Sequence, residues 1–360
     1  MNPLLQIIQR MIRAGGPIPL PVYMGLALGH PEHGYYQRKD PFGAAGDFIT
    51  APEISQMFGE LIGLWCVQRW RDMGSPGAFI LCELGPGRGA LMRDALRAAG
   101  LAPDFLQAAR LHLVETSRRL RARQKEALQV PIIWHDSVTQ LPQIPAIFIA
   151  NEFFDALPIR QFQRCKNHWR ERMISINPST DQLCFSLSPL PLADATILPA
   201  AMRCAPEGAI AEISPAAQAV MQILAGHIAG HGGAALIIDY GPAASAPGDS
   251  FQAVRGQRYC DPLQDPGLAD LTAHVDFQAL AHAAQAAGCE TDGPIPQGDF
   301  LQRLGIGLRA RKLSENATPE QRAAIASALH RLTGPEQMGS LFKALALRHR
   351  DLPPAAGFGG

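Results

Sequence analysis

Short apolar runs alternate with helical patterns from about residue 78 onward. Runs of this length suit strands buried on both faces, and strands separated by helices are typical of βαβ units in a mainly parallel sheet. The predicted strands are residues 79–83, 111–115, 131–134, 146–150 and 234–239. We therefore expect an α/β sandwich of the Rossmann-like type.

Other parts of the chain follow different patterns. Residues 1–14 place apolar side chains at helical spacing, and Gly15-Gly16-Pro17 ends that run as a helix stop does. Residues 161–205 lack a helical period, and alternation in 169–176 and 183–187 predicts an inserted antiparallel β hairpin. Helices are predicted again after Gln297, most clearly over 319–332, whereas the tail 352–360 is expected to be disordered.

These patterns predict two domains. Residues 1–75 would form an N-terminal helical cap that includes a Gly/Pro-rich loop. Residues 76–360 would form the α/β domain, with the β insertion at about 161–205 and a helical part at about 297–350.

Composition excludes several classes of function. Lys plus Arg equals Asp plus Glu, at 32 each, so no overall field favours nucleic acid or an anionic membrane. The longest apolar runs are far too short to span a bilayer. The seven cysteines are scattered without a CxxC pair, which favours a reducing cytoplasm over a disulfide framework or a zinc site. The His30/His33 and His227/His231 pairs lack acidic or cysteine partners at the spacing of metal-binding motifs, so no metal is expected.

A glycine-rich turn joins the first predicted strand to the helix after it. Gly85, Gly87 and Gly89 would let the backbone approach a ligand closely and would direct helix N–H groups towards it. Gly85, Gly87 and Ala90 also satisfy the dinucleotide pattern G-x-G-x-x-G/A, so the turn alone leaves a dehydrogenase open.

Two acids at strand ends, Glu83 and Glu115, and the G-x-G-x-G form that Gly89 gives the turn favour S-adenosylmethionine over a dinucleotide. Glu83 would face the pyrophosphate of NAD unfavourably, but it suits the cationic methionine end of S-adenosylmethionine. Glu115 ends the second strand where a carboxylate can accept from both ribose hydroxyls, and Asp136 follows the third strand, where it could accept from the adenine amino group. Strand-end acids also cap helices, which is the structural alternative for each of them.

The loop after the fourth strand carries the candidate chemistry. Asn151, Glu152, Phe153 and Asp155 would lie beside the transferable methyl, and carboxylates with aromatic rings suit a cationic acceptor. The alternative is that the aromatic side chains are core residues and that Asp155 caps a helix. Asp239 and Tyr240 follow the fifth strand, where either a substrate contact or a strand-end turn is expected.

Ordered motifs along most of the chain resemble the MidA-like family of methyltransferases. The matching segments are HPEHGYY at residues 30–36, GDFITAPE at 46–53, FGE at 58–60, ELGPGRG at 83–89, ETS at 115–117, NEFFDALP at 151–158, IDYG at 238–241 and DLTAHVDF at 270–277. One departure is Ala51, where the family pattern leads us to expect Ser; the exchange removes a hydroxyl group.

The resemblance implies a methyl transfer from S-adenosylmethionine to a protein arginine, on a subunit of respiratory complex I. It also implies that the N-terminal segment folds over the cofactor cleft, so that Asp47 and Thr50 contact the cofactor and Phe48 the acceptor. Glu152 would then hold the acceptor guanidinium, with Asp155 as the nearest second carboxylate. A small-molecule methyltransferase and a cofactor-binding assembly chaperone without turnover are the alternatives. We expect a protein of the bacterial cytoplasm. The sequence leaves the oligomeric state open, and a homodimer is one alternative.

Overall fold

A computed structural model describes residues 2–38 and 50–359 of this chain, which is an α/β protein with mixed sheets. The chain divides into two compact units. The sheet unit combines Ile49–Phe154, Val220–Ala243 and Leu280–Gly360. The N-terminal unit combines Met1–Phe48, Asp155–Ala219 and Ala244–Ala279.

The helices and strands are numbered in chain order. The helices are Pro3–Gly15 (α1), Leu20–Gly29 (α2), Tyr35–Arg38 (α3), Ala51–Ile54 (α4), Gln56–Asp72 (α5), Ala90–Ala99 (α6), Pro103–Ala108 (α7), Arg118–Leu128 (α8), Ala200–Arg203 (α9), Pro215–His231 (α10), Phe277–Ala286 (α11), Gln297–Arg303 (α12), Ile306–Ser314 (α13), Pro319–Thr333 (α14) and Met338–Leu341 (α15). The strands are Ile18–Pro19 (β1), Phe79–Leu84 (β2), Ala109–Val114 (β3), Ile133–His135 (β4), Ala146–Asn151 (β5), Arg160–Cys165 (β6), His168–Ile176 (β7), Leu183–Leu187 (β8), Ile210–Ile213 (β9), Gly233–Tyr240 (β10), Gln252–Arg255 (β11), Arg258–Cys260 (β12), Asp270–Thr272 (β13), Glu290–Pro296 (β14) and Phe342–Arg348 (β15).

A seven-stranded sheet forms the centre of the sheet unit, in the order β14-β15-β10-β5-β2-β3-β4. The five strands from β10 to β4 are parallel, and β15 runs antiparallel to both of its neighbours. Every residue of β2, β5 and β10 is buried, as expected for strands at the centre of a covered sheet. All five predicted strands are confirmed here, whereas the sequence patterns do not predict β14 and β15.

Helix α5 packs against α6 at two glycines one helical turn apart. A Cβ atom at Gly63 would overlap the carbonyl oxygen of Ala95, and one at Gly59 would lie 2.8 Å from the Cβ of Asp94. These positions leave no room for a side chain, so the two helix backbones approach closely. Because α6 directly follows the glycine-rich turn, this packing also fixes the helix that leaves the turn.

The N-terminal unit is built on antiparallel strands. Its larger sheet has the order β1-β7-β6-β9 with β8 paired to β7, and β12-β11-β13 form a smaller sheet. The predicted hairpin over 169–176 and 183–187 is confirmed as β7 and β8. The predicted N-terminal helix is α1: the Asn2 side chain caps its start, and its C-cap is Gly16, whose φ of 85° is left-handed.

The predicted disorder of residues 352–360 is wrong for the part of that tail which the structure describes. Ala355 is buried, and the Phe358 ring lies 5.1 Å from that of Phe300. Arg69 donates from Nη1 to the Pro353 carbonyl oxygen over 3.0 Å. Glycines and prolines indicate disorder by composition, but apolar Ala355 and Phe358 pack onto the sheet unit.

None of the helices in the described ranges is long and apolar enough to cross a membrane. The predicted cap at 1–75 and the boundaries near 161–205 and 297–350 stay predictions.

Candidate functional site

The carboxyl ends of the parallel strands align at one edge of the sheet unit. Leu84 on β2 pairs with Val114 on β3 and with Ala150 on β5, and Val114 pairs in turn with His135 on β4. Open α/β sheets bind ligands at this edge. The register therefore brings together most of the predicted site residues: Glu83, Gly85, Gly87, Gly89, Glu115, Asp136, Asn151, Glu152 and Asp239.

The glycine-rich turn follows β2 directly. Gly85, Gly87 and Gly89 have φ angles of 60°, 52° and 83°, a left-handed backbone that strains any residue with a Cβ atom. The Gly85 N–H donates to the Val114 carbonyl oxygen over 3.0 Å, so the turn is tied to the end of β3. A Cβ at Gly85 would also lie 2.9 Å from the Phe153 ring. The turn thus presents bare backbone at the start of α6.

Glu83 is a buried carboxylate near the end of β2. Among the described residues, its Oε2 has no hydrogen-bond partner. Burial raises the pKa of Glu83 from 4.5 to about 8. A buried unpaired carboxylate is costly and is expected to have a counterion. The residue therefore fits a cationic ligand group at this edge.

Glu115 is held by donors from two directions. Its Oε1 accepts from the Ser117 backbone N–H over 2.7 Å, and its Oε2 accepts from Gln124 Nε2 over 3.2 Å. Burial raises the pKa of Glu115, and the bonds from Ser117 and Gln124 oppose that rise. Ligand hydroxyls could still bind, because each carboxylate oxygen accepts more than one hydrogen bond.

Asp136 differs from the other two acids in being exposed. Its side chain is 70% exposed and forms a 2.6 Å ion pair with Arg121, which also donates to the Glu115 carbonyl oxygen. Arg121 is one of the four arginines of α8, so this basic helix contributes a contact at the site.

Glu152 connects the loop after β5 to the start of α4. Its Oε1 accepts from the Ala51 backbone N–H over 3.0 Å and from Asn151 Nδ2 over 3.1 Å. Glu152 has a φ of 49°, uncommon for a residue with a side chain and of the kind found at functional loops. Thr50 is the N-cap of α4, but its side chain makes no capping bond.

Asp239 organises the same loop from the end of β10. Its Oδ2 accepts from the backbone N–H groups of Phe153 and Phe154 over 3.2 and 3.0 Å, and its Oδ1 accepts from the Tyr240 N–H. Asp239 is fully buried, and the Tyr240 ring packs 5.4 Å from that of Phe342. These contacts are structural, and the predicted substrate contacts of Phe153, Asp239 and Tyr240 stay predictions.

Asp47 and Phe48 fall outside the described residues. Asp155 belongs to the N-terminal unit, where it is buried and its carbonyl oxygen accepts from the Ala273 N–H over 3.0 Å. In the described ranges, no group of three His, Cys, Asp or Glu side chains is arranged to hold a metal.

Gln124 is the site residue that the sequence patterns miss. It lies in the helix sequence RRLRARQKEAL, whose charge predicts a solvated face, yet it is fully buried. The signal that could reveal it is its helical spacing with Leu120 and Leu128, which are also buried.

Comparison with known proteins identifies the relatives of this chain. Residues 61–295 match the family model described as S-adenosyl-L-methionine-dependent methyltransferase. The protein arginine methyltransferase NDUFAF7 of Danio rerio is 40% identical over 94% of this chain and 85% of its own length. Its Drosophila melanogaster homolog is 38% identical over 98% and 87%, and the Homo sapiens protein is 35% identical over 96% and 83%.

A solved structure has the same fold. A protein from Burkholderia thailandensis, crystallised with S-adenosyl-homocysteine bound, superposes with a TM-score of 0.85 at 28% identity, covering 98% of this chain and 93% of that one. The mixed α/β fold is therefore that of the neighbour, and the neighbour's ligand is the demethylated form of the expected cofactor.

Proposed function

This chain belongs to a family of S-adenosyl-L-methionine-dependent methyltransferases, and from that premise we propose that it methylates an arginine side chain of another protein. The observation that carries the proposal is the near-full-length similarity to proteins named protein arginine methyltransferase. A respiratory complex I subunit is the narrower target that we propose from the family resemblance.

The proposed cofactor site uses the aligned strand ends. S-adenosylmethionine supplies an activated methyl group when it is bound. Glu83 would pair with its cationic end, the backbone of Gly85, Gly87 and Gly89 would approach it closely, and Glu115 would accept from the ribose hydroxyls. Asp136 would accept a hydrogen bond from the adenine amino group. The buried Oδ1 of Asn151 has no hydrogen-bond partner in the described ranges, so it would be an acceptor for a donor of the cofactor. Asp47 and Thr50 complete the proposed set.

The acceptor side of the proposal rests on Glu152. An arginine side chain stays protonated at neutral pH and its lone pairs are delocalised. A carboxylate that binds the other guanidinium nitrogens draws the positive charge towards itself, so the attacking nitrogen regains lone-pair character. A base must take the proton that this nitrogen loses during or after methyl transfer. Asp155 is the proposed second carboxylate, and Phe48, Phe153, Asp239 and Tyr240 are proposed to form the surroundings of the acceptor.

Labelling of a lysate tests the proposal. The protein would be incubated with methyl-labelled S-adenosylmethionine and a cell lysate, and the labelled product identified by mass spectrometry. Methylarginine in a defined protein is expected. Label confined to small molecules would favour the small-molecule methyltransferase, and cofactor binding without any labelled product would favour the assembly chaperone; either result overturns the proposal.

A further inference from the structure

Gln124 joins three strand ends of the sheet unit through one side chain. Its Nε2 donates to the Gly87 carbonyl oxygen over 2.8 Å and to Glu115 Oε2 over 3.2 Å. Its Oε1 accepts from Trp134 Nε1 over 2.8 Å. The glycine turn after β2, the acid after β3 and a side chain on β4 therefore meet at one buried amide.

The three contacts require an amide. Two N–H donors and one carbonyl acceptor are used at the same time, and asparagine and glutamine alone carry both groups in one side chain. A leucine at this position would remove the donor to Gly87 and to Glu115, and a glutamate would place a carboxyl oxygen against two acceptors. The surroundings of Gln124 thus specify its chemistry as well as its size.

Gln124 also fixes the orientation of the Glu115 carboxylate. The Ser117 N–H holds one carboxylate oxygen and Gln124 holds the other, so the carboxylate plane is fixed from both sides. The same amide fixes the backbone of the glycine turn at Gly87. Groups that recognise a ligand need such support, because a recognition group displaced by about 1 Å loses much of its effect.

We propose that Gln124 is a positioning residue for recognition of the cofactor ribose, acting through Glu115. This inference rests on the proposed function, because it takes Glu115 as the acceptor for the ribose hydroxyls. It assigns specificity for the nucleoside half of S-adenosylmethionine to a residue that is buried behind the binding groups.

The test compares the affinities of two ligands by calorimetry. One is S-adenosylhomocysteine and the other is its analogue without the 2′ and 3′ hydroxyls. In the Gln124→Leu variant we expect the affinity for S-adenosylhomocysteine to fall about tenfold, the effect of one charged hydrogen bond. The analogue should lose much less, so the preference for the hydroxylated ligand shrinks. A general loss of packing would weaken both ligands equally.

Gln297 provides the matched control. It is also a fully buried glutamine of the sheet unit, and its Nε2 donates to the Leu332 carbonyl oxygen over 2.9 Å. Gln297→Leu replaces a buried glutamine that makes one such hydrogen bond and should leave the ligand preference at the wild-type value. A Gln124→Leu variant with unchanged preference would overturn the inference. If it fails to fold, Trp134→Phe, which removes the donor to the Gln124 Oε1 together with part of the indole ring, gives the same comparison with a smaller expected change.

A double-mutant cycle separates this inference from the proposed function. If Gln124 acts through Glu115, the Glu115→Gln/Gln124→Leu variant should have the same ligand preference as Glu115→Gln alone. Additive losses would show that Gln124 acts independently and would overturn the inference. Failure of the wild-type protein to bind S-adenosylhomocysteine, or a wild-type preference in Glu115→Gln, would instead overturn the proposed cofactor site.

Discussion

Protonation of the Glu83 carboxyl group is coupled to folding of the protein. Burial raises its pKa from 4.5 to about 8. Between these values the native carboxyl keeps a proton that the unfolded chain releases. The contribution of Glu83 to the free energy of unfolding therefore decreases as the pH rises through this window.

We predict that Glu83→Gln gains stability relative to the ligand-free wild-type protein as the pH rises from about 5 to about 9, because the amide has no charge to bury. Urea denaturation at both pH values measures the difference in unfolding free energy. Glu126→Gln, the same exchange at a side chain 68% exposed on α8, is the control. An equal difference between Glu83→Gln and wild type at both pH values would contradict the prediction.

We predict that Glu152→Gln retains cofactor binding and loses turnover. The glutamine Oε1 can still accept from the Ala51 N–H and from Asn151, so the loop should keep its conformation. The lost charge should reduce turnover by about a hundredfold, the effect of removing one key electrostatic group. Single-turnover assays on an identified substrate measure it. The exposed Glu336→Gln serves as the control, and wild-type turnover in Glu152→Gln would place the guanidinium contact elsewhere.

The close packing of α5 against α6 requires a residue without a side chain at Gly63. We predict that Gly63→Ala destabilises the protein by about 1–3 kcal/mol, the range for overpacked sites, because the new methyl group would overlap the Ala95 backbone. Gly226→Ala lies within α10, and its new methyl group would have no described atom within 4 Å, so it should instead stabilise the protein by about 0.5–1 kcal/mol. Thermal unfolding of both variants compares them, and equal melting temperatures would contradict the packing argument.

Elements with one dominant signal are predicted well from this sequence. The central strands are fully buried, so their apolar runs stand out against the helices between them. β15 has the sequence FKALALR, which consists largely of good helix formers, and only its pairing with β10 and β14 makes it a strand. Tertiary pairing outweighs local preference there, and no local pattern reveals it.

The sequence predicts candidate site residues where their chemistry is visible in it. Acids and glycines at strand ends are informative because the carboxyl ends of parallel strands share an edge. Gln124 gives no such signal, because its role depends on groups contributed by three separate segments. Likewise, the contact between Glu152 and Ala51 joins residues that are far apart in the chain.

At the scale of the whole molecule, ligand binding should be visible as stability. We predict that S-adenosylhomocysteine at about a hundred times its Kd adds about 2.7 kcal/mol to the free energy of unfolding, whereas NAD at the same concentration adds none. Thermal melts with each ligand provide the measurement, and Glu115→Ala should reduce the shift. Stabilisation by NAD alone would exclude the methyltransferase site.

The position of β15 has a consequence for how the protein is made. β15 lies between β10 and β14, although both precede it in the chain, and in the described ranges β14 pairs with β15 alone. During synthesis, β10 therefore keeps an open edge, and β14 stays unattached, until residues 342–348 have left the ribosome. A premature stop codon anywhere between β14 and β15 would remove β15 and would also leave β14 without its partner strand, so the sheet would lack both strands. Such an allele should behave as a null through misfolding and degradation, even though every proposed cofactor-binding residue has already been translated.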